Sequence, residues 1–326
     1  MEQSEKDTTS ITARTSKDRA KAKLTRDLGP VLLAALYDPR TVEICLNPDG
    51  KLWQEKLGEP MRYIGMLELA RAQAILETVA GYLDKTVTRN KPILEGEFPL
   101  DGSRFAGQLP PIVPAPSFAI RKKAIQIFTL DQYVEKEIMT AEQREALHRA
   151  VVNHRNILVI GGTGSGKTTL VNAIINEMVT ATPGERVVII EDTGEIQCSA
   201  ENYVQFHTTI DVSITDLLKT TLRMRPDRIL VGEVRDGAAL DLLDAWNTGH
   251  EGGAATLHSN SAESGLTRLK SLISRNPSAP KDIEPLIGEA VHVVVHIART
   301  SNGSRRIREI LEISGYENGR YVTRTL

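Results

Sequence analysis

The chain has 326 residues, which at roughly 150 residues per domain suggests about two domains and excludes a peptide hormone or a stapled mini-protein. Forty Lys and Arg against forty-two Asp and Glu leave a net charge of −2, so no global field holds nucleic acid or anionic lipid, and any such contact must come from a local patch. Two cysteines, Cys45 and Cys198, form neither a disulfide framework nor a four-cysteine zinc site and point to a reducing, cytosolic setting, while the longest apolar run, 31–37, falls far short of the roughly 20 residues of a membrane-spanning helix.

Residues 1–30 carry seven basic and five acidic side chains among small polar ones. That is too little apolar surface to offset the entropy of ordering, so a flexible, mildly basic tail is expected, with helix near 20–28; it is either a docking arm or a solvated terminus. From Val31 the pattern becomes that of a folded domain. Val42, Ile44 and Leu46 alternate with Thr41, Glu43 and Cys45, and Asn47-Pro48-Asp49-Gly50 supplies a turn before 51–55, which predicts a β-hairpin. Leu69, Ala72, Leu76, Val79 and Leu83 recur at helical spacing and predict an amphipathic helix over 67–84. Strands over 98–109 and 117–122 flank an extended proline-rich stretch at 110–116. Residues 31–127 therefore read as a small α+β N-terminal domain.

Residues 128–139 read as a linker with a short helix and are the candidate hinge. Thr140 with Gln143 three positions on has the pattern of a capping box. Beyond it the rhythm is strand 156–160, helix 167–181, strand 186–190, helix 213–225 and strand 228–232, an alternation that implies a parallel sheet with right-handed crossovers. Segments 291–297, 305–313 and 316–323 are separated or interrupted by Asn302-Gly303 and Asn318-Gly319, which predicts a short antiparallel appendix. The second domain, 140–326, is thus of α/β class.

The chemistry is concentrated in this second part. Gly161-Gly162-Thr163-Gly164-Ser165-Gly166-Lys167-Thr168 fits the phosphate-binding pattern G-x-x-x-x-G-K-[ST], between an apolar strand and a helix. Its glycines let backbone N–H groups approach phosphate oxygens, and the helix adds its positive N-terminal end. Lys167 is expected to reach the β- and γ-phosphates of ATP and Thr168 to ligate Mg²⁺, with Thr169 completing the binding stretch. Two strand ends offer carboxylates: Glu191, Asp192 and Glu195 after 187–190, and Glu233 after 229–232. In an open parallel sheet ligands sit at the carboxyl ends of strands, so Glu233 is the expected general base or water-orienting residue. No Asp occupies that strand, so Asp192 and Glu233 are, with Thr168, the candidate metal neighbours through water, with Glu191 and Glu195 assisting. Capping of a turn or helix is the alternative for Glu191 and Asp192. His250 and His258, eight residues apart around Gly252-Gly253, lack a zinc-ligand spacing and are read as sensing or polarising the γ-phosphate, although either alone would more often be an ordinary histidine. Arg223, Arg225, Arg228 and Arg235 are divided between phosphate, a neighbouring subunit and solvent.

Residues 161–168, 190–195, 222–235 and 248–258 resemble, in that order, the Walker A, aspartate, Walker B and histidine boxes of the type II/type IV secretion ATPases, and are most similar to the traffic ATPases of type IV secretion and conjugative transfer. The resemblance implies a homohexamer whose protomers pair an N-terminal domain with a RecA-like P-loop ATPase domain, ATP and Mg²⁺ being clamped between them. It also implies phosphate-binding arginines in the N-terminal domain, matched by Arg104 in Asp101-Gly102-Ser103-Arg104-Phe105 and Arg121 in 117–122. The implied partners are other components of a type IV secretion or conjugation apparatus, with the ATPase cytoplasmic and peripherally associated with the inner membrane. The tetracysteine metal module of many type II and pilus-assembly relatives is absent from the sequence. A pilus retraction motor and a DNA-translocating ATPase are the alternatives. Direct sequence-specific nucleic-acid binding is not expected, because no basic groove with interleaved aromatics accompanies the near-neutral charge.

Overall fold

The computed structural model describes residues 2–123, 127–209, 211–300 and 303–326, with side chains from residue 16 onward. The chain divides into two compact units, Met1–Ile125 and Gln126–Leu326. The connection at 124–126, including the end of the expected N-terminal domain, lies outside the described residues.

The first unit opens with α1 (Glu2–Tyr37), which is interrupted at Gly29, where φ 70° and ψ 173° break the helical path just before Pro30. Leu24, Leu28, Leu32 and Leu36, spaced by four, are 0–2 % exposed and belong to the unit's core. For residues 24–30 the expectation of a flexible tail is therefore corrected: a stripe of leucines diluted among charges is enough to dock this part of the helix. Strands β1 (Thr41–Leu46), β2 (Lys51–Lys56), β3 (Arg62–Met66), β4 (Ile93–Glu97), β5 (Arg104–Gln108) and β6 (Ser117–Arg121) form an antiparallel sheet in the order β3-β2-β1-β6-β5-β4. One face of it carries Ile44, Leu46, Leu52, Phe105, Phe118 and Ile120 into a core shared with Ala72, Ile75, Leu76 and Val79 of α2 (Leu69–Tyr82).

The second unit begins with α3 (Leu130–Glu135) and α4 (Ala141–Val152), each opened by a capping box, Thr129 with Gln132 and Thr140 with Gln143. Leu130 and Tyr133 are 0 % and 3 % exposed in the unit's core, so the stretch expected to be a linker is packed structure instead. There follow β7 (Ile157–Ile160), α5 (Lys167–Ala181), β8 (Val187–Glu191), β9 (Tyr203–His207), α6 (Ile214–Thr221), β10 (Arg228–Val231), α7 (Ala238–Trp246), β11 (Ala254–Leu257), α8 (Ala262–Ile273), α9 (Ile283–Ala290), β12 (Val293–Arg299), β13 (Arg305–Glu317) and β14 (Arg320–Thr325). They build an eight-stranded sheet in the order β14-β13-β12-β7-β11-β10-β8-β9. The six strands from β12 to β9 are parallel to their neighbours, and only β13 and β14 run antiparallel. The C-terminal appendix is thus smaller than expected, since β12 is a parallel member of the main sheet beside β7.

Both faces of the sheet are covered. Leu158 and Ile160 of β7 point into a cluster with α6, α7, α8 and α9, whereas Ile157 and Val159 point into one with α3, α4 and α5. All four side chains are at most 1 % exposed, and each contributes about 2 kcal/mol of burial. Immediately before this strand, fully buried Asn156 accepts from the N–H groups of Gly252 and Gly253 at 2.8 and 3.1 Å and donates from Nδ2 to the Ala290 carbonyl at 2.8 Å. One side chain thereby ties the start of β7 to the approach to β11 and the end of α9.

Candidate active site

Strand order sets the order of the functional groups. At the carboxyl edge β7 delivers the loop 161–166, β11 delivers His258, β10 delivers Glu233, and β8 delivers Glu191 and Asp192. These strands are neighbours about 4.8 Å apart, so residues far apart in sequence form one row.

Lys167 starts α5 and is 8 % exposed; its Nζ donates to the carbonyls of Gly161 and Gly162 at 3.0 and 3.1 Å and lies 3.4 Å from His258 Nε2. His258 Nε2 is in turn 3.3 Å from Glu233 Oε1. The structure therefore brings Lys167, His258 and Glu233 together. Burial, the largest influence on Glu233, works to raise its pKa, but the hydrogen bond and charge of Arg235, with the charges of His258 and Lys167, outweigh it and hold the carboxyl below its usual range. Thr256 braces the same turn, its Oγ1 donating to the Gly232 carbonyl at 2.6 Å while its own carbonyl accepts from the Val234 N–H at 2.9 Å. Sequence reasoning passed over Thr256, for which only its place beside His258 in the strand was a signal.

Arg235 resolves one of the open arginine assignments. Its Nη1 donates to Asp192 Oδ2 at 2.9 Å and its Nη2 to Glu233 Oε2 at 2.8 Å, so one guanidinium spans both carboxylates. Asp192 also accepts from Thr208 Oγ1 at 2.9 Å. The carboxylate beside Thr168 is instead Glu195, whose Oε2 accepts from Thr168 Oγ1 at 3.4 Å. Asp192 and Glu233, the other residues expected near a metal, are bridged by Arg235. A hydroxyl and a carboxylate oxygen at the head of α5 are hard donors that suit Mg²⁺, which takes the rest of its shell from phosphates and water.

Glu191 is 3 % exposed and holds the loop that carries Glu195: its Oε2 accepts from the N–H groups of Glu195 and Ile196 at 2.9 and 3.1 Å, and its Oε1 from Gln205 Nε2. Burial pushes its pKa up to about 7, against the lowering effect of those three donors. The turn-capping alternative thus describes Glu191, and its carboxyl touches neither Lys167 nor Glu233 among the contacts described.

His250 departs from expectation. Its Nδ1 lies 3.1 Å from the Pro226 carbonyl, ahead of β10, whereas His258 follows β11. Strand β11 separates the two histidines, so they stand at opposite edges of a parallel sheet, and His250 is remote from its own phosphate loop. Arg228 lies at that far edge too, fully buried, paired with Glu185 and donating to the Gly252 carbonyl at 2.9 Å.

In the first unit Arg104 and Arg121 are directly opposed across β5 and β6, on a row that continues to Glu97 on β4 and to Glu43 and Glu55 on β1 and β2. Two like charges in register are unfavourable alone; the flanking carboxylates offset this. Burial raises the Glu43 pKa, and Arg121 and Arg104 oppose the rise.

Residues 91–316 match the family described as Type II/IV secretion system protein. The chain is 50% identical to the conjugal transfer protein TrbB of Rhizobium radiobacter over 94% of each chain. It is 31% identical to the protein VirB11 of Agrobacterium fabrum over 81% of this chain and 86% of that one. Among solved structures, the Legionella pneumophila ATPase DotB superposes with a TM-score of 0.62 over 86% of this chain and 79% of that one; at 21% identity this likeness concerns the fold, two domains of which the second is RecA-like. With Lys167, Glu191, Glu233 and His258, one from each sequence box, at one sheet edge and the family match spanning most of its length, the chain belongs to the type II/IV secretion system protein family.

Proposed function

We propose that this chain is an ATP hydrolase that powers a type IV secretion apparatus of the conjugative-transfer kind. The observation that carries the reading is the row Lys167, His258 and Glu233 beside a phosphate-binding loop, with contacts of 3.4 and 3.3 Å. Lys167, now donating to two loop carbonyls, transfers those hydrogen bonds to the β- and γ-phosphates. Glu233, held ionised by Arg235 through Oε2, turns Oε1, now 3.3 Å from His258 Nε2, to orienting the attacking water and accepting its proton. His258 stands between the two and responds to the γ-phosphate. Thr168 with Glu195 would hold Mg²⁺, which would supply neutralisation of charge on the phosphates. Arg104 and Arg121 are proposed as further phosphate-binding groups, supported by their juxtaposition on one sheet face.

The conjugative assignment is supported by the 50% identity to a conjugal transfer protein over nearly the whole chain. We further propose a homohexamer acting at the inner membrane through protein partners; among the described residues no helix is long and apolar enough to cross a membrane. The test is phosphate release by purified protein with and without Mg²⁺, beside Lys167→Ala, combined with light scattering for the assembly state and capture of partners from membranes in mild detergent. Metal-independent turnover, or turnover unchanged in the variant, refutes the site. Capture of pilus components without any secretion component refutes the conjugative assignment.

A further inference from the structure

The end of β12 and the start of β13 lie against the phosphate loop, although 135 positions separate Arg299 from Gly164. Arg299, the last residue of β12, donates from Nε to the Gly164 carbonyl at 2.9 Å. Arg305, the first of β13, packs beside Gly166. Both glycines lie in the left-handed region, at φ +67° and +97°, and a Cβ at Gly164 would come within 2.9 Å of Arg299 Nη2, one at Gly166 within 2.9 Å of Arg305 Cδ. The path of the loop is therefore fitted to two arginines outside its own segment.

The residues next to the two arginines are themselves anchored. Thr300 N–H donates to the Ser304 carbonyl at 2.8 Å and Gly303 N–H to the Thr300 carbonyl at 3.0 Å. Ile307 N–H donates to the Ile138 carbonyl at 2.7 Å, and the side chains of Ile297 and Ile307 are buried.

We propose that Arg299 is a positioning residue for the bound nucleotide, acting through the peptide between Gly164 and Ser165. A trans peptide directs its C=O and N–H to opposite sides. Drawing the Gly164 carbonyl out to the guanidinium turns the Ser165 N–H inward, where it donates to the Gly162 carbonyl at 3.3 Å, a bond that bound phosphate would replace. Ser165 is 2 % exposed, and its Oγ has no hydrogen-bond partner among the described residues. An inward N–H beside a buried hydroxyl forms a pair of donors matched to phosphate oxygens. Arg299 also sets a positive charge where the charge of a triphosphate accumulates. The proposal rests on the phosphate-loop reading above.

The test uses the full chain, with binding of fluorescent ATP and ADP analogues, steady-state hydrolysis, and thermal unfolding without nucleotide. Arg299→Ala is expected to raise Kd and KM about tenfold, equivalent to ~1.4 kcal/mol, with kcat within about twofold and an unchanged unfolding temperature. Arg299→Lys, which keeps a charge and a donor, is expected to recover most of the affinity. Parent-like affinity in Arg299→Ala overturns the proposal. So does equal loss in both variants accompanied by a lower unfolding temperature, which marks a merely structural contact. Lys167→Ala separates the two levels: if it loses nucleotide while Arg299→Ala retains it, only the role of Arg299 fails, whereas parent-like binding in Lys167→Ala removes the phosphate-loop reading itself.

Discussion

Replacing Glu191 by Gln removes a titration while keeping the shape and an acceptor oxygen for the amides of Glu195 and Ile196. Glu191 is 3 % exposed, and burial raises its pKa from 4.5 to about 7, the hydrogen bonds from Ile196, Gln205 and Glu195 only partly opposing the rise. A carboxyl whose folded pKa exceeds its unfolded one contributes its stability in full below the unfolded value and loses it as pH rises through the folded value. The window here runs from pH 4.5 to about 7, and at 1.36 kcal/mol per unit the loss across it is about 3 kcal/mol. For a unit of about 200 residues that corresponds to ~9 °C in unfolding temperature. Calorimetric unfolding of the parent and Glu191→Gln from pH 5 to pH 8 reads the effect as a difference curve, in which groups remote from Glu191 cancel. The variant is expected to gain on the parent as pH rises, with most of the gain reached by pH 8. A flat difference curve refutes the claim that burial prevails over three hydrogen bonds at this carboxyl.

Glu233→Gln is expected to bind ATP within about twofold of the parent while losing at least ~10²-fold in turnover, measured by filter binding and phosphate release; lost binding instead assigns Glu233 a structural role. Arg104→Ala and Arg121→Ala are each expected to weaken ATP binding about tenfold in titration calorimetry; parent affinity in both takes them out of the site. Asn156→Leu leaves the Gly252 and Gly253 N–H groups and the Ala290 carbonyl buried without their side-chain partner, an expected cost of ~3–5 kcal/mol in urea unfolding, and a cost below about 1 kcal/mol contradicts the accounting.

What could be foreseen from the sequence follows from how local its causes are. The phosphate loop, its strand and its helix are fixed by residues within about thirty positions of one another, and 167–181 is helical as the pattern predicts. Glu233 was recognisable because it ends a short apolar strand, and His258 because it closes a stretch that resembles the histidine box. Arg299 was not, because its relation to Gly164 exists only once β12 lies parallel to β7. His250 was misplaced for the opposite reason: closeness to His258 in sequence suggests closeness in space, and an intervening strand reverses that. The leucine stripe of α1 was hidden by twelve charges in the first thirty residues and by Gly29-Pro30, which divides the periodicity. Strands β3 and β9 lie at sheet edges with no buried residue, so they leave no alternating apolar signature.

The general phosphate-loop pattern leaves position 164 free, yet in this chain a side chain there would strike Arg299. A side chain at 164 would be strained by the left-handed backbone and would also have to displace the Arg299 guanidinium, which links the two positions. In homologous chains a non-glycine residue at the position of Gly164 should coincide with a smaller residue at that of Arg299. The C-terminal hairpin would then evolve in step with a loop encoded more than a hundred residues upstream, and that co-variation would be visible in sequences alone.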